Sequence, residues 1–232
     1  MLRLMAMTVV LLATGAAASA ADDPYPSRIS YAIYRGGQQV GRHIVTFENK
    51  GPIRLVTAAC EIEVRSLGVI AYRYLHRSRE EWNGEQLQAL RATTDDNGKQ
   101  FTVSVERRGG ALVVERTAPA SMPTAAMADQ AYRGPDVSLQ SLPANLLPPS
   151  GWNLRQVQQT ALLNPQDGTV ARVRVTPAGQ ETVRMPSGSV PATRYRYTGD
   201  LRMEQWFDDR GRWVKGTFTA FDGSTIEYIL QE

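Results

Sequence analysis

Short stretches of alternating apolar and polar residues recur along almost the whole chain, and nearly every one ends in Gly, Asn, Asp or Pro. Alternation at period two sends successive side chains to opposite faces of a strand, so one face can be buried and the other solvated. Residues 28–35 (RISYAIYR) end at Gly36-Gly37, and residues 40–48 end at Asn49-Lys50-Gly51-Pro52. Residues 53–65 form a third segment, long enough for a bend or bulge to be expected. Residues 69–82 stop at Asn83-Gly84. Residues 87–94 run into Asp95-Asp96-Asn97-Gly98, where Asn-Gly takes positive φ at low cost and marks a tight hairpin. Segments 101–107 and 112–116 flank Arg108-Gly109-Gly110. The second half continues with 169–176, 181–185, 190–197, 201–207, 213–221 and 225–230. Turn signals this frequent predict an all-β, mainly antiparallel domain, a curved sheet or partly open β-barrel of roughly 11–13 strands.

One stretch breaks the rhythm. Residues 118–151 carry Pro119, Pro123, Pro135, Pro143, Pro148 and Pro149. Proline removes backbone donors and is excluded from sheet interiors, so this stretch reads as a long Pro-rich irregular connection. After it, residues 153–163 (NLRQVQQTALL) predict one short helix. Leu154, Val157, Ala161 and Leu162 would share a face, Asn153 would cap the start and Pro165 would stop it. The connection divides the strands into two groups. Each group alone would leave open edges and a modest core, so residues 21–232 are expected to form a single domain.

The first twenty residues (MLRLMAMTVVLLATGAAASA) have a different character. Arg3 is a short positive region, residues 4–12 are apolar, and Ala18-Ser19-Ala20 is a small-residue cleavage site. This is the layout of a secretory signal peptide, 1–20. Its apolar stretch is too short for a membrane-spanning helix. The expectation is an exported domain that does not span a membrane after cleavage, with the periplasm as its location. Lys and Arg number 26 against 23 Asp and Glu, and no long basic run occurs. Nucleic-acid binding, which needs a concentrated basic patch, is not expected. Cys60 is the single cysteine, so no disulfide framework exists within the chain, and its apolar neighbours Leu55–Ala59 read as core.

The end of the chain is the most distinctive part. It contains Tyr195-Arg196-Tyr197-Thr198-Gly199-Asp200-Leu201, then Trp206-Phe207-Asp208-Asp209-Arg210-Gly211-Arg212-Trp213-Val214, then residues 221–230 (FDGSTIEYIL). Upstream are Tyr72-Arg73-Tyr74-Leu75-His76-Arg77-Ser78, the turn at 94–98, and Leu162-Leu163-Asn164-Pro165-Gln166-Asp167-Gly168. Together these resemble an uncharacterised family of exported bacterial proteins, mainly proteobacterial, grouped as a domain of unknown function. The resemblance covers nearly all of residues 21–232. It implies no activity, cofactor or catalytic residue. The final hairpins also look like those of other exported β proteins with a curved, half-open sheet, some of which carry lipids or lipoproteins. That likeness concerns the fold, which does not fix function.

The segment 69–82 is the candidate site. One face presents Tyr72, Tyr74, His76, Ser78, Glu80 and Trp82, and the other Arg73, Leu75, Arg77, Arg79 and Glu81. Neither face is purely apolar, so the pattern alone does not decide which points inward. A polar-aromatic face suits a wet cavity or groove, which makes Tyr72, Tyr74, His76 and Trp82 candidate ligand-binding residues. The competing reading is that the rings pack while their polar tips reach the rim. His43, Glu61, Glu63 and His76 have the chemistry of zinc ligands but lack the local His pairing of such sites, and no metal is assigned. The acidic pairs Glu80-Glu81, Asp95-Asp96 and Asp208-Asp209 read as turn formers rather than a glycosidase pair. No Gly-x-Ser-x-Gly elbow, phosphate loop or dinucleotide fingerprint occurs, so no catalytic or cofactor-binding residue is assigned and no cofactor is expected. Arg172-Val173-Arg174-Val175 and Arg194-Tyr195-Arg196-Tyr197 would make an Arg-rich outer surface. The expected function is non-catalytic binding of an apolar or amphipathic envelope molecule, lipid-like or similar, in a β-sheet cavity. The rivals are an envelope protein-interaction or assembly factor, working through the Arg face or an edge strand, and a hydrolase with dispersed residues using His43 or His76.

Overall fold

The computed structural model describes residues 24–119, 136–220 and 222–231, so the signal peptide expected at 1–20 lies outside the described residues. Among the described residues fourteen strands form one antiparallel sheet. They are β1 (Arg28–Arg35), β2 (Gln38–Lys50), β3 (Ile53–Ser66), β4 (Val69–Asn83), β5 (Gln86–Asp96), β6 (Lys99–Arg108), β7 (Ala111–Ala118), β8 (Asp136–Pro143), β9 (Ala161–Leu163), β10 (Val170–Met185), β11 (Gly188–Gly199), β12 (Met203–Asp208), β13 (Trp213–Thr219) and β14 (Thr225–Leu230). The order across the sheet is β8-β7-β6-β5-β4-β3-β2-β1-β14-β13-β12-β11-β10-β9. Two meanders are therefore joined where the first strand meets the last, with Tyr31 opposite Leu230 and Arg35 opposite Ile226. The end strands β8 and β9 do not pair, so the sheet is not closed. The chain following β8 reaches across the gap through a parallel bridge between Leu147 and Leu162 and a hydrogen bond from Leu163 N to Leu147 O, 3.0 Å. The main core cluster combines Trp82, Leu90, Val105, Leu112 and Val114 from one meander with Trp206, Phe207, Trp213 and Leu230 from the other.

Turn chemistry sets the register as the sequence indicates. Asn97 and Gly98 both have positive φ, 52° and 90°, the type I′ geometry that fits the twist of a two-residue hairpin. The expected irregularity in β3 falls between Val64 and Arg65 in its pairing with β4. The strand count of 14 exceeds the expected range for identifiable reasons. Segments 169–176 and 181–185 merge into a single strand, β10, whose pairing shifts between Pro177 and Gln180, which lowers the count by one. Two strands lie where none was expected.

The first of these, β8, sits inside the supposedly irregular 118–151. It pairs residue for residue with β7, from Asp136 opposite Ala118 to Pro143 opposite Ala111. It is an edge strand, where a proline at the end removes no needed ladder bond. The expected helix at 153–163 is also corrected. It is a single 3-10 turn, Leu154–Gln158, with the Asn153 side chain accepting from Arg155 N as the cap, and Ala161–Leu163 is strand. Leu162 and Leu163 are both fully buried, in two different core clusters. A strand sends neighbours to opposite sides in this way, whereas a one-sided amphipathic helix does not. Among the described residues no helix is long and apolar enough to cross a membrane.

Candidate binding cavity

Inside the curl of the sheet is a cavity of about 810 Å³. Its walls come from β2, β3 and β4 on one side and β12, β13 and β14 on the other, with residues 149–152 and 164–166 completing it. Register explains the wall. His43 faces Cys60 across β2–β3, Cys60 faces His76 across β3–β4, and His76 faces Thr94 across β4–β5. These four residues form one row. Because side-chain direction repeats every two residues, the row fixes which face of β4 turns inward. It is the Tyr72, Tyr74, His76, Ser78, Glu80 face, all of which line the cavity.

The polar groups of the row are largely committed to partners. Thr94 Oγ1 donates to Gln166 O at 3.2 Å. The 2.9 Å contact between His76 Nδ1 and Thr94 Oγ1 must then carry the imidazole proton on Nδ1. Burial lowers the His76 pKa to about 4, so the ring is neutral near pH 7 and its Nε2 is an acceptor. The ring stacks on Tyr74 with centroids 6.3 Å apart. Burial, and then repulsion from His76, lowers His43 to about 4 as well. His43 lies 5.8 Å from the Tyr31 ring, 6.2 Å from Trp213 and 6.0 Å from Tyr228, and its Nδ1 has no hydrogen-bond partner among the described residues. Cys60 Sγ is 3.5 Å from Tyr228 OH. Burial pushes the thiol up to about 11, so it is not a thiolate nucleophile near neutral pH.

Glu80 organises one end of the cavity. It is 3% exposed and accepts from Trp82 Nε1 at 2.8 Å, Trp152 Nε1 at 3.3 Å and Ser150 Oγ at 2.5 Å. Burial raises its pKa, and those three donors offset only part of that rise. Through Ser150 and Trp152 this carboxyl ties the segment after β8 to β4. Trp213 closes the same region. A Cβ on Gly151 would sit 2.5 Å from its ring, and one on Gly216 would sit 2.6 Å away, so both positions need glycine for the indole to lie where it does.

The opposite end is the mouth. Tyr72 OH donates to Asp96 Oδ1 at 2.7 Å, and Arg35 forms an ion pair with Asp222. Arg65, Ser66 and Ala71 complete this rim. Between rim and base lies an apolar wall of Ile62, Val64, Phe218 and Ile226.

Of the four candidate residues, Tyr72, Tyr74 and His76 line the cavity. Trp82 belongs to the main core, edge-on to Trp152 at 5.3 Å, and is not among the lining residues. Sequence reasoning did not single out Tyr228, Trp213, Phe218 and Gln166 as wall residues. They come from distant segments, and only the β1–β14 pairing brings β13 and β14 to β2 and β3. Glu61 and Glu63, weighed with the histidines as ligands, point to the other face. Glu61 pairs with Arg42 at 3.1 Å and Glu63 with Arg65 at 2.7 Å. Neither histidine contacts a carboxylate among the described residues, and of the four acids lining the cavity Glu80 and Asp96 accept from the donors named above, Asp222 pairs with Arg35 and Glu204 with Arg196. The Arg-bearing strands are partly neutralised: Arg194 pairs with Glu181 at 2.9 Å and Arg196 with Glu204 at 2.8 Å. Asp95 and Asp208 serve turns, accepting from Gly98 N at 2.7 Å and from Arg212 N at 2.8 Å.

The family model for a domain of unknown function, DUF6134, matches residues 31–231, and the chain belongs to that family. Among solved structures, it is similar to a β-barrel-like protein of another domain of unknown function, DUF1849, from Brucella abortus. The TM-score is 0.59 at 12% identity, over 88% of this chain and 95% of that one. This likeness is one of fold. The comparison with curated proteins finds no match.

Proposed function

We propose that this DUF6134 member is an exported, non-catalytic binding protein that holds an apolar or amphipathic envelope molecule in the cavity of its sheet. The observation that carries the reading is the cavity itself. At about 810 Å³ it falls within the roughly 300–1,000 Å³ range of small-molecule sites, and it combines an apolar wall with polar side chains at its rim and base. The acyl or ring portion of a ligand would lie against Ile62, Val64, Phe218 and Ile226. A hydroxyl or other neutral donor would meet Nε2 of His76. Export and a periplasmic location rest on residues 1–20. Tyr72, Tyr74 and His76 are the proposed contacts, and Trp82 acts behind them through Glu80.

Native mass spectrometry of the protein purified gently from periplasm tests the reading. The expected result is an adduct released on denaturation as a lipid-like small molecule. A bare monomer, together with failure to take up a fluorescent lysolipid from solution, would refute it. A second reading has one supporting feature. Val137 and Leu139 are 60% and 72% exposed on the edge strand β8, a surface suited to strand addition by a protein partner.

A further inference from the structure

The hairpin between β3 and β4 ends in an arrangement that both turn preference and hydration disfavour. Leu67 and Gly68 form a two-residue turn with φ of 50° and 83°, closed by Ser66 opposite Val69. Asn97 and Gly98 form the same turn one hairpin away, with φ of 52° and 90°. Asparagine tolerates this left-handed conformation, and leucine disfavours it. Leu67 is also fully exposed at 102%, with Val69 at 66% and Ile70 at 49%. An apolar side chain is thus held at the outermost point of the hairpin against both turn preference and hydration. Two arginines bracket this apolar tip, Arg65 and Arg73, both exposed. Arg65 pairs with Glu63, while Arg73 forms no ion pair among the described residues. The feet of the same hairpin, Val64, Arg65, Ser66, Ala71 and Tyr72, line the cavity.

We propose that the 65–73 hairpin tip docks the protein on a lipid bilayer with anionic headgroups, inserting Leu67, Val69 and Ile70 and setting the cavity mouth against the membrane. The chemistry of the partner follows from the pattern. Apolar residues at the apex suit the acyl region, a tyrosine and arginines a few residues back suit the headgroup level, and guanidinium groups match lipid phosphates. A protein groove would take the apolar residues but gives no reason for bracketing arginines beside a cavity mouth. The docking deepens the carrier reading, and its role in loading or unloading a ligand rests on that reading.

The test is co-sedimentation of the purified protein with phosphatidylcholine vesicles containing a quarter phosphatidylglycerol. Leu67→Asn is the informative variant, because it gives this turn the Asn-Gly pair that Asn97-Gly98 already uses in the same conformation and should fold at least as well as the parent. Removing the buried apolar contact should weaken vesicle binding on the order of tenfold. Arg73→Gln should weaken it about fivefold at low salt and less at high salt. Vesicle binding that is absent, or indifferent to Leu67→Asn, overturns the proposal. So does a monomer–dimer equilibrium abolished by Leu67→Asn without vesicle binding, which would assign the tip to self-association. Uptake of a fluorescent lysolipid from vesicle-free solution separates the two ideas. The carrier reading requires it in the parent and in Leu67→Asn alike, so its failure with vesicle binding intact refutes the carrier and leaves the docking standing.

Discussion

Acid should destabilise this protein through His43 and His76 in a window set by their burial. Both titrate near 4 in the folded state, against about 6.5 in an unfolded chain. Between those values the unfolded state binds more protons, so stability falls as pH drops from about 6.5 toward 4. The linkage relation gives a loss of about 2 kcal/mol for each histidine between pH 7 and pH 5. Two together approach 4 kcal/mol, a large part of a typical domain's total of roughly 5–15 kcal/mol. Glu80 works in the other direction. Its raised pKa means the folded state holds that proton more tightly, so acidification through its folded pKa adds stability. The histidine contribution is isolated by difference. Urea unfolding of the parent and of His76→Gln is measured at pH 7 and pH 5, with slopes compared to confirm two-state behaviour. His76→Gln should cost stability at pH 7 by disturbing the Thr94 contact, yet lose about 2 kcal/mol less than the parent on going to pH 5. A parent-to-variant difference that stays constant across those two pH values would refute a neutral, buried His76.

The other predictions concern the base of the cavity and the thiol. Glu80→Ala removes the acceptor of Trp82, Trp152 and Ser150, and should cost about 3 kcal/mol with a matching fall in midpoint, whereas Glu80→Gln should cost less; equal losses would contradict the hydrogen-bond role. Gly216→Ala pushes a methyl group into the Trp213 ring and should cost roughly 1–3 kcal/mol by overpacking, read by thermal unfolding together with a change in tryptophan emission. Cys60, with its thiol raised to about 11, should resist a disulfide reagent at pH 7.5 in the native protein and react fully in urea; quick native labelling would count against the buried assignment.

Local pattern carried most of the architecture. Alternation and turn residues locate strands because both act over a few residues, which is why the Asn97-Gly98 turn and the bulge in β3 fall where expected. What stayed illegible depends on distant partners. Residues 136–143 form a strand only because β7 offers an edge, and the prolines around them hid the alternation. Residues 161–163 leave the helical pattern because β10 supplies ladder bonds and two cores receive Leu162 and Leu163. The candidate face of β4 was named from its residue types, but its direction follows from the His43–Cys60–His76–Thr94 row, and a row across four strands is invisible in one strand's sequence. Trp82 illustrates the limit. It shares the inward face with Tyr72 and His76, yet it lies beyond the cavity, among core residues.

The row raises a physical question about the interior. A sheet of this size gains most from packing Val, Ile and Leu on its concave side, as β5, β6 and β7 do with Leu90, Val105, Leu112 and Val114, all fully buried. Along β2 to β4 the same side sets His43, Cys60, His76, Ser78 and Glu80 among apolar residues such as Val56, Ile62 and Val64, and the cavity lies in front of them. Each buried imidazole or carboxyl carries a desolvation cost that an aliphatic residue avoids, and unfilled volume forfeits dispersion contacts. Stability alone gives no reason to concentrate both costs on three adjacent strands. They are accounted for if the cavity is filled by a molecule whose apolar bulk replaces the missing packing and whose polar end engages the histidine. On that account a bound ligand should raise the unfolding temperature of the parent and do so far less when the space is already occupied, as in Ala58→Phe.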